Sequence, residues 1–301
     1  MDYKYLIGLN SKSYEHELDR KVLNTLKGKT GFEAATNAFL NWTYIKWNVI
    51  ALKGGCFQIT KDSCPELYTT LLDVSRILDV HPMPSLYTEW QYGINGYTTG
   101  FGDDTLIVLK SGAVDLLTEE ELRFVAGHEF GHIKSGHVIY HQMANMFNEA
   151  MSLLPLVGNL AEPIKYLLLY WDRMSEFTAD RAGLLACQDI DVAIQAIVKM
   201  AGLPMKYYND KVRDSFIKQA ESFQLDLNSL SEKAIKTITI ATSRHPWIVL
   251  RAAELLKWYN SGEYEQIING NSHDVCIWQD CGKPITKGSE CCPYCGRPQN
   301  I

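Results

Sequence analysis

Apolar residues recur at three- and four-residue spacing over most of the chain, the pattern of helices that bury one stripe. "EHELDRKVLNTLKG" (15 to 28) closes on a glycine, and "FEAATNAFLNWTYIKWNVIALKGG" (32 to 55) runs to Gly54-Gly55, so both read as helices. Phe39, Trp42, Tyr44 and Trp47 in the second read as core. A third helix fits "CPELYTTLLDVSRILDV" (64 to 80), stopped by Pro82 and Pro84. The period then changes. "PSLYTEW" and "TLIVLKSG" are rich in β-branched and aromatic residues and flank the glycine-punctuated "YGINGYTTGFGDD", which predicts two or three strands of a small sheet.

From "LLTEEELRFVAGHEF" the helical period returns and holds to about residue 266. "DIDVAIQAIVKMAGLP" has acids at its start and Gly202 then Pro204 at its end, and "PWIVLRAAELLKWYNSG" runs from Pro246 to Gly262. The fold class is α+β, mainly helical with one small sheet. Three units follow: a helical extension over 1–60, a main domain over 61–266, and a cysteine-rich segment over 270–301 joined by "NGNSHD".

With 301 residues, 46% of them hydrophobic, the chain can bury a large core. A net charge of -6 supplies no positive surface for phosphate backbones, so nucleic acid is not an expected partner. The opening "MDYKYLIGLNSKSYEHELDR" breaks every apolar run with polar groups, unlike a secretory signal, and a cytoplasmic location is expected. No apolar run of spanning length occurs without a charge or a breaker. The nearest approach, "MSLLPLVGNLAEPIKYLLLYW" (151 to 171), contains Glu162, Lys165 and two prolines. This stretch reads as a buried helical hairpin or a cover on a cleft, and over 143–171 peripheral membrane contact stands as the alternative. Eight cysteines in such a chain argue for metal or burial rather than disulfides.

The chemistry centres on "GHEFGH" (127 to 132), an HExxH string. Its helix starts at Thr118-Glu119-Glu120-Glu121, which has the spacing of a capping box. His128 and His132 then lie one turn apart on one face and can share a tetrahedral zinc ion, while Glu129 can reach a water on that ion. A third ligand is needed. "RMSEFTADRA" (173 to 182) places Glu176 and Asp180 one turn apart on a second helix. Glu176 can bind the metal, and Asp180 can accept the distal N–H of a ligating histidine. His137 and His141, a further pair at four-residue spacing on the motif helix, lack an intervening acid and read as surface or supporting residues.

Several separated blocks resemble the M48 family of zinc metalloendopeptidases. They are "INGYTTGFG" (94 to 102), "TLIVLKSGAVDLLTEEELRFVAGHEFGHIKSGH" (105 to 137), "RMSEFTADRAG" and "SRHPWIVLRAAEL" (243 to 255). The resemblance implies a gluzincin-type core with a small sheet beside the HExxH helix, zinc on His128, His132 and Glu176, and Glu129 as general base to a zinc-bound water. It also implies that His245 and Arg251 face the active site, on substrate or the developing oxyanion. Family members with membrane spans differ from this chain, which resembles those that keep the catalytic core alone. Gly96 stands where the family often has alanine, a change expected to loosen the strand locally.

The strand around Tyr97 to Phe101, or its neighbour at Thr105 to Leu109, can pair with an extended substrate, with Asn95, Tyr97 and Thr98 as candidate substrate-binding residues. The expected function is cleavage of internal bonds in extended or unfolded polypeptide. Two alternatives stand beside it: a protease fold kept as a scaffold or binding protein, and a zinc aminopeptidase. In the C-terminal segment, Cys276, Cys281, Cys292 and Cys295 form two turns that each end in Cys-Gly. They resemble a zinc ribbon holding a second, structural zinc and offering a surface to a protein partner. Cys291 competes with Cys292, which the Cys-Pro-Tyr-Cys-Gly turn favours.

Overall fold

The structure is a computed structural model describing residues 3–33, 36, 43–149, 162–228, 247–270 and four short stretches (274–275, 284–285, 290–292, 295–299). Its N-terminal part comprises helix α1 (Glu17–Lys27), helix α2 (Thr43–Gly55), strand β1 (Phe57–Ile59) and helix α3 (Pro65–Ile77). Strands β2 (Ser85–Glu89), β3 (Gly96–Thr99) and β4 (Leu106–Lys110) follow, then a short helix α4 (Ser111–Leu116). The motif helix is α5 (Glu119–Lys134), succeeded by α6 (Val138–Glu149) and the long α7 (Glu162–Cys187). Helices α8 (Ile190–Met200), α9 (Asp210–Asn228), α10 (Ile248–Asn260) and α11 (Glu263–Gly270) complete the helical part. A small pair, β5 (Asp274–Val275) and β6 (Pro284–Ile285), lies near the C-terminus.

The main sheet has four strands in the order β1-β2-β4-β3, more than the two or three expected. β4 runs parallel to β2 and antiparallel to β3, with Tyr97 opposite Val108 and Thr98 opposite Ile107. This central strand is buried from Leu106 to Leu109 and alternates its allegiance along its length. Ile107 and Leu109 join the principal core, while Leu106 and Val108 pack with Val49 and Tyr87 under α2. β3 is left at the sheet edge, beside α5.

The principal core also takes in Leu6, Leu9 and Tyr14, together with Leu122, Phe124 and Phe130 of the motif helix. Leu6, Leu9 and Tyr14, in a stretch expected as an extension, therefore share their core with the motif helix. A second cluster joins α1 (Val22, Leu23, Leu26) to α7 (Leu168, Leu169, Tyr170, Trp171). Residues 168–171 of the segment expected as a buried hairpin or cleft cover are thus core; 150–161 lie outside the described residues. Among the described residues, no helix is long and apolar enough to cross a membrane.

The motif helix ends sooner than its apolar spacing implies. Gly136, at a φ of 69°, takes the left-handed turn that glycine adopts freely. His137 N–H then donates to His132 O at 2.9 Å, and Gly136 N–H to Ile133 O at 3.0 Å, closing the helix in a Schellman turn. His137 and His141 therefore do not ride on the motif helix.

Candidate metal centre

The motif helix is fixed at its start. Thr118 Oγ1 accepts from Glu121 N–H at 3.3 Å, and Glu121 accepts from Thr118 N–H at 2.7 Å. The Glu121 carboxylate also pairs with buried Lys199 of α8. From Glu121 to His132 every residue of α5 is buried, so the motif is held as core.

His128 Nε2 and His132 Nε2 lie 3.1 Å apart. The Glu176 carboxylate on α7 is 3.5 Å from the first and 3.4 Å from the second. Ligands at roughly 2.0–2.1 Å around a tetrahedral zinc sit about 3.3–3.4 Å from one another. Glu176 meets His128 through Oε2 and His132 through Oε1, so the three side chains converge on one ion-sized position, and their chemistry, two imidazoles and one carboxylate, suits zinc.

Asp180, one turn beyond Glu176, places Oδ1 2.9 Å from His128 Nδ1. That contact puts the proton on Nδ1 and leaves the Nε2 lone pair facing the other donors. Burial alone would lower the His128 pKa, but the Asp180 and Glu176 carboxylates, which accept from the protonated ring, outweigh it and lift the value to about 9. His132, without a carboxylate at the same distance from its Nδ1, is held well below its ordinary value by burial and by nearby His141. Arg251 of α10 is buried, and its guanidinium grips Asp180 at 2.8 Å and 2.5 Å while lying 3.6 Å from Glu176. Against the desolvation that would raise it, Arg251 keeps the Asp180 pKa low.

Glu129 lines the same cleft and reaches β3. Thr98 Oγ1 donates to Glu129 Oε2 at 2.8 Å. Burial raises the Glu129 pKa, and His128 and Thr98 pull against that rise. The strand can approach because residue 96 is glycine: a Cβ there would stand 2.9 Å from Val108 O and 3.2 Å from Glu129 Cγ. Gly96 thus permits close packing of the strand against the acid. An open cleft of about 1070 Å³ runs along this edge, lined by Asn95, Tyr97, Thr98, His141 and the donor residues.

His245, Cys276 and Cys281 lie outside the described residues. Cys292 is buried, Cys295 partly so and Cys291 exposed. Cys292 N–H donates to Arg297 O at 2.9 Å and accepts at its own carbonyl from Gly296 N–H at 2.8 Å. His137 and His141 are not surface residues: His137 is 1% exposed and His141 faces the cleft. Sequence spacing put both on the motif helix because it does not show the turn at Gly136, and it missed Thr98 as a partner of Glu129 because that contact crosses from strand to helix.

Peptidase family M48 matches residues 67–259, which contain every donor of the cluster. The chain belongs to that family. It is thereby a metallopeptidase. Over 262 residues it is 28% identical to the plastoglobule-localized metallopeptidase 48 of Arabidopsis thaliana, covering 86% of this chain and 76% of that one. It is 23% identical over 236 residues to a protease HtpX homologue of Paraburkholderia phytofirmans, covering 69% and 79%. The match to a protease HtpX homologue of Streptococcus uberis, 26% identical over 113 residues, spans 38% of that relative. No solved structure matches the chain.

Proposed function

We propose that this M48 peptidase is a zinc-dependent endopeptidase acting on extended or unfolded polypeptide. The observation that carries this reading is the convergence of the His128 and His132 imidazoles and the Glu176 carboxylate within reach of one ion, with Glu129 beside them at an open strand edge. A zinc ion held by those three residues would supply Lewis acidity and bring the pKa of water to about 7. Glu129 accepts the proton of the attacking water and passes it to the departing amine. Thr98 holds that carboxylate in place. Asp180 fixes the tautomer of His128, and Arg251, committed to Asp180 and Glu176, positions both acids rather than contacting substrate. His245 keeps the oxyanion role implied by the resemblance.

An extended peptide laid along Gly96–Thr99 would pair through its main chain, which selects conformation more than side-chain identity. Tyr97, Thr98 and Asn95 border that path. We also propose a structural zinc on Cys276, Cys281, Cys292 and Cys295, with 270–301 as a separate unit open to a protein partner. The burial of Cys292 beside an exposed Cys291, and the left-handed Gly296 at a φ of 71°, favour Cys292 as the ligand. The free thiols of Cys56, Cys64 and Cys187 suit a reducing compartment, so the cytosol is the proposed site of action.

The test uses Glu129→Gln. The variant should bind zinc as tightly as wild type and lose cleavage of casein by at least about a thousandfold, in line with loss of an acid–base group that also activates water. Cleavage at the wild-type rate refutes the mechanism. Chelator-insensitive behaviour with no turnover in wild type would favour a scaffold. A substrate with a blocked N-terminus that is still cut internally excludes an aminopeptidase.

A further inference from the structure

The two candidate histidine ligands are supported differently. His128 Nδ1 meets a carboxylate directly at Asp180, whereas His132 Nδ1 lies 3.1 Å from His137 Nδ1. His137 in turn places Nε2 3.1 Å from Asp19 Oδ2. The protons on this line have one consistent arrangement. If His132 offers the Nε2 lone pair to the metal, its Nδ1 carries hydrogen and donates to His137 Nδ1. His137 then carries its own hydrogen on Nε2 and donates to Asp19. Every contact acquires one donor and one acceptor.

Asp19 is built for that task. It is fully buried, and its remaining contacts are neutral donors: Trp171 Nε1–H to Oδ1 at 2.7 Å and Thr178 Oγ1–H to Oδ2 at 2.6 Å. A buried carboxylate needs positive charge within electrostatic reach. The line through His137 and His132 leads to the metal position. The Schellman turn at Gly136 is what folds His137 back beneath His132.

We propose that Asp19, acting through His137, is a positioning residue for the metal centre, so that helix α1 is a working part of it. The proposal rests on the zinc reading above. Asp19 precedes residues 67–259, the stretch matched by the family, so this support is contributed from outside the family region. A competing arrangement would use His132, His137 and His141 as ligands of a second ion. It is disfavoured because both ring nitrogens of His141 are already engaged, Nδ1 by Asp172 at 2.7 Å and Nε2 by Ser175 Oγ at 2.9 Å.

The experiment measures zinc affinity and stoichiometry of the full chain by competition with a chromophoric chelator. Glu176→Gln identifies the catalytic zinc. Asp19→Asn and His137→Leu should each weaken that zinc by about 10–100-fold, the usual effect of losing an outer hydrogen-bond partner. His137→Asn, whose amide oxygen stands near the lost Nδ1, should recover much of the affinity lost in His137→Leu. Val22→Ala, which loosens α1 without touching the line, should leave it unchanged. Should a variant fail to show cooperative melting, the cobalt(II) d–d spectrum of Asp19→Asn against Val22→Ala decides: a shift confined to Asp19→Asn supports positioning, and identical spectra overturn it. Undiminished affinity in Asp19→Asn and His137→Leu, while Glu176→Gln loses zinc, overturns the relay and spares the zinc reading. Loss of a second equivalent of zinc in His137→Leu also overturns it, since His137 would then be a ligand. If Glu176→Gln keeps all its zinc, the zinc reading itself fails.

Discussion

Glu129 shows how little separates a buried acid from a usable base. Burial raises its pKa, and the Thr98 hydroxyl at 2.8 Å is one of the groups that hold it down. Thr98→Val removes the hydroxyl at nearly constant volume. The carboxyl pKa then rises further, so the acid limb of the kcat/KM profile should move to higher pH. A hydrogen bond to a charged group is worth about 1.5–3 kcal/mol, so kcat/KM near neutral pH should fall roughly tenfold or more. An acid limb at the same pH in both proteins would show that Thr98 does not tune the base. The paired spacings of His128 with His132 and of Glu176 with Asp180 could be read from sequence because each pair is local to one helix. Thr98 and Asp19 could not, because a lone threonine or acid carries no spacing, and only the fold brings each to its partner.

Between elements, the decisive contact is α5 against α7. A Cβ at Gly131 would stand 2.5 Å from Ala182 Cβ, and one at Gly127 would stand 2.3 Å from Ala186 Cβ. Across the same seam a Cβ at Gly183 would meet Phe124 O at 2.7 Å. These small residues bring the two helices close enough for His128 and His132 to share donors' distance with Glu176. Gly131→Ala gains up to about 1 kcal/mol of helix propensity but costs about 1–3 kcal/mol of overpacking. The melting temperature should drop by a few degrees, and zinc binding should weaken as the helices separate. Gly54→Ala in α2, with nothing within 4 Å of the added methyl, should instead be neutral or stabilising. Equal thermal behaviour of the two variants would refute the close-packing account. Period alone revealed the helices but not β1, whose three residues Phe57–Ile59 are too short to show alternation. Nor did it reveal the break at Gly136, because apolar residues keep helical spacing through "HIKSGHVIY".

For the molecule as a whole, the question is which parts fold together. The N-terminal stretch reads as a helical extension because its apolar run, Tyr5 to Leu9, is short and is followed by the polar "NSKSYEHELDR". Yet Leu6, Leu9, Tyr14 and Leu26 are each 3% exposed or less, and Leu6 N–H bonds to Ile77 O at 2.9 Å. Each such burial is worth about 1.5–3 kcal/mol. Four of them approach the whole stability of a typical domain, about 5–15 kcal/mol. At the other end, no buried residue of the three core clusters lies beyond Ile268 among the described residues. Two truncations follow from this asymmetry. A chain beginning at residue 61 should show no cooperative thermal transition, although it retains every donor of the metal cluster and the whole region matched by the family. A chain ending at Gly270 should melt within a few degrees of the full protein and still cleave casein. Calorimetry on the two truncated proteins decides the matter. A cooperative, zinc-stabilised transition in the chain that begins at 61 would mean that α1 is dispensable to the fold, and that the core shared by Leu6, Tyr14 and the motif helix contributes far less than its burial implies.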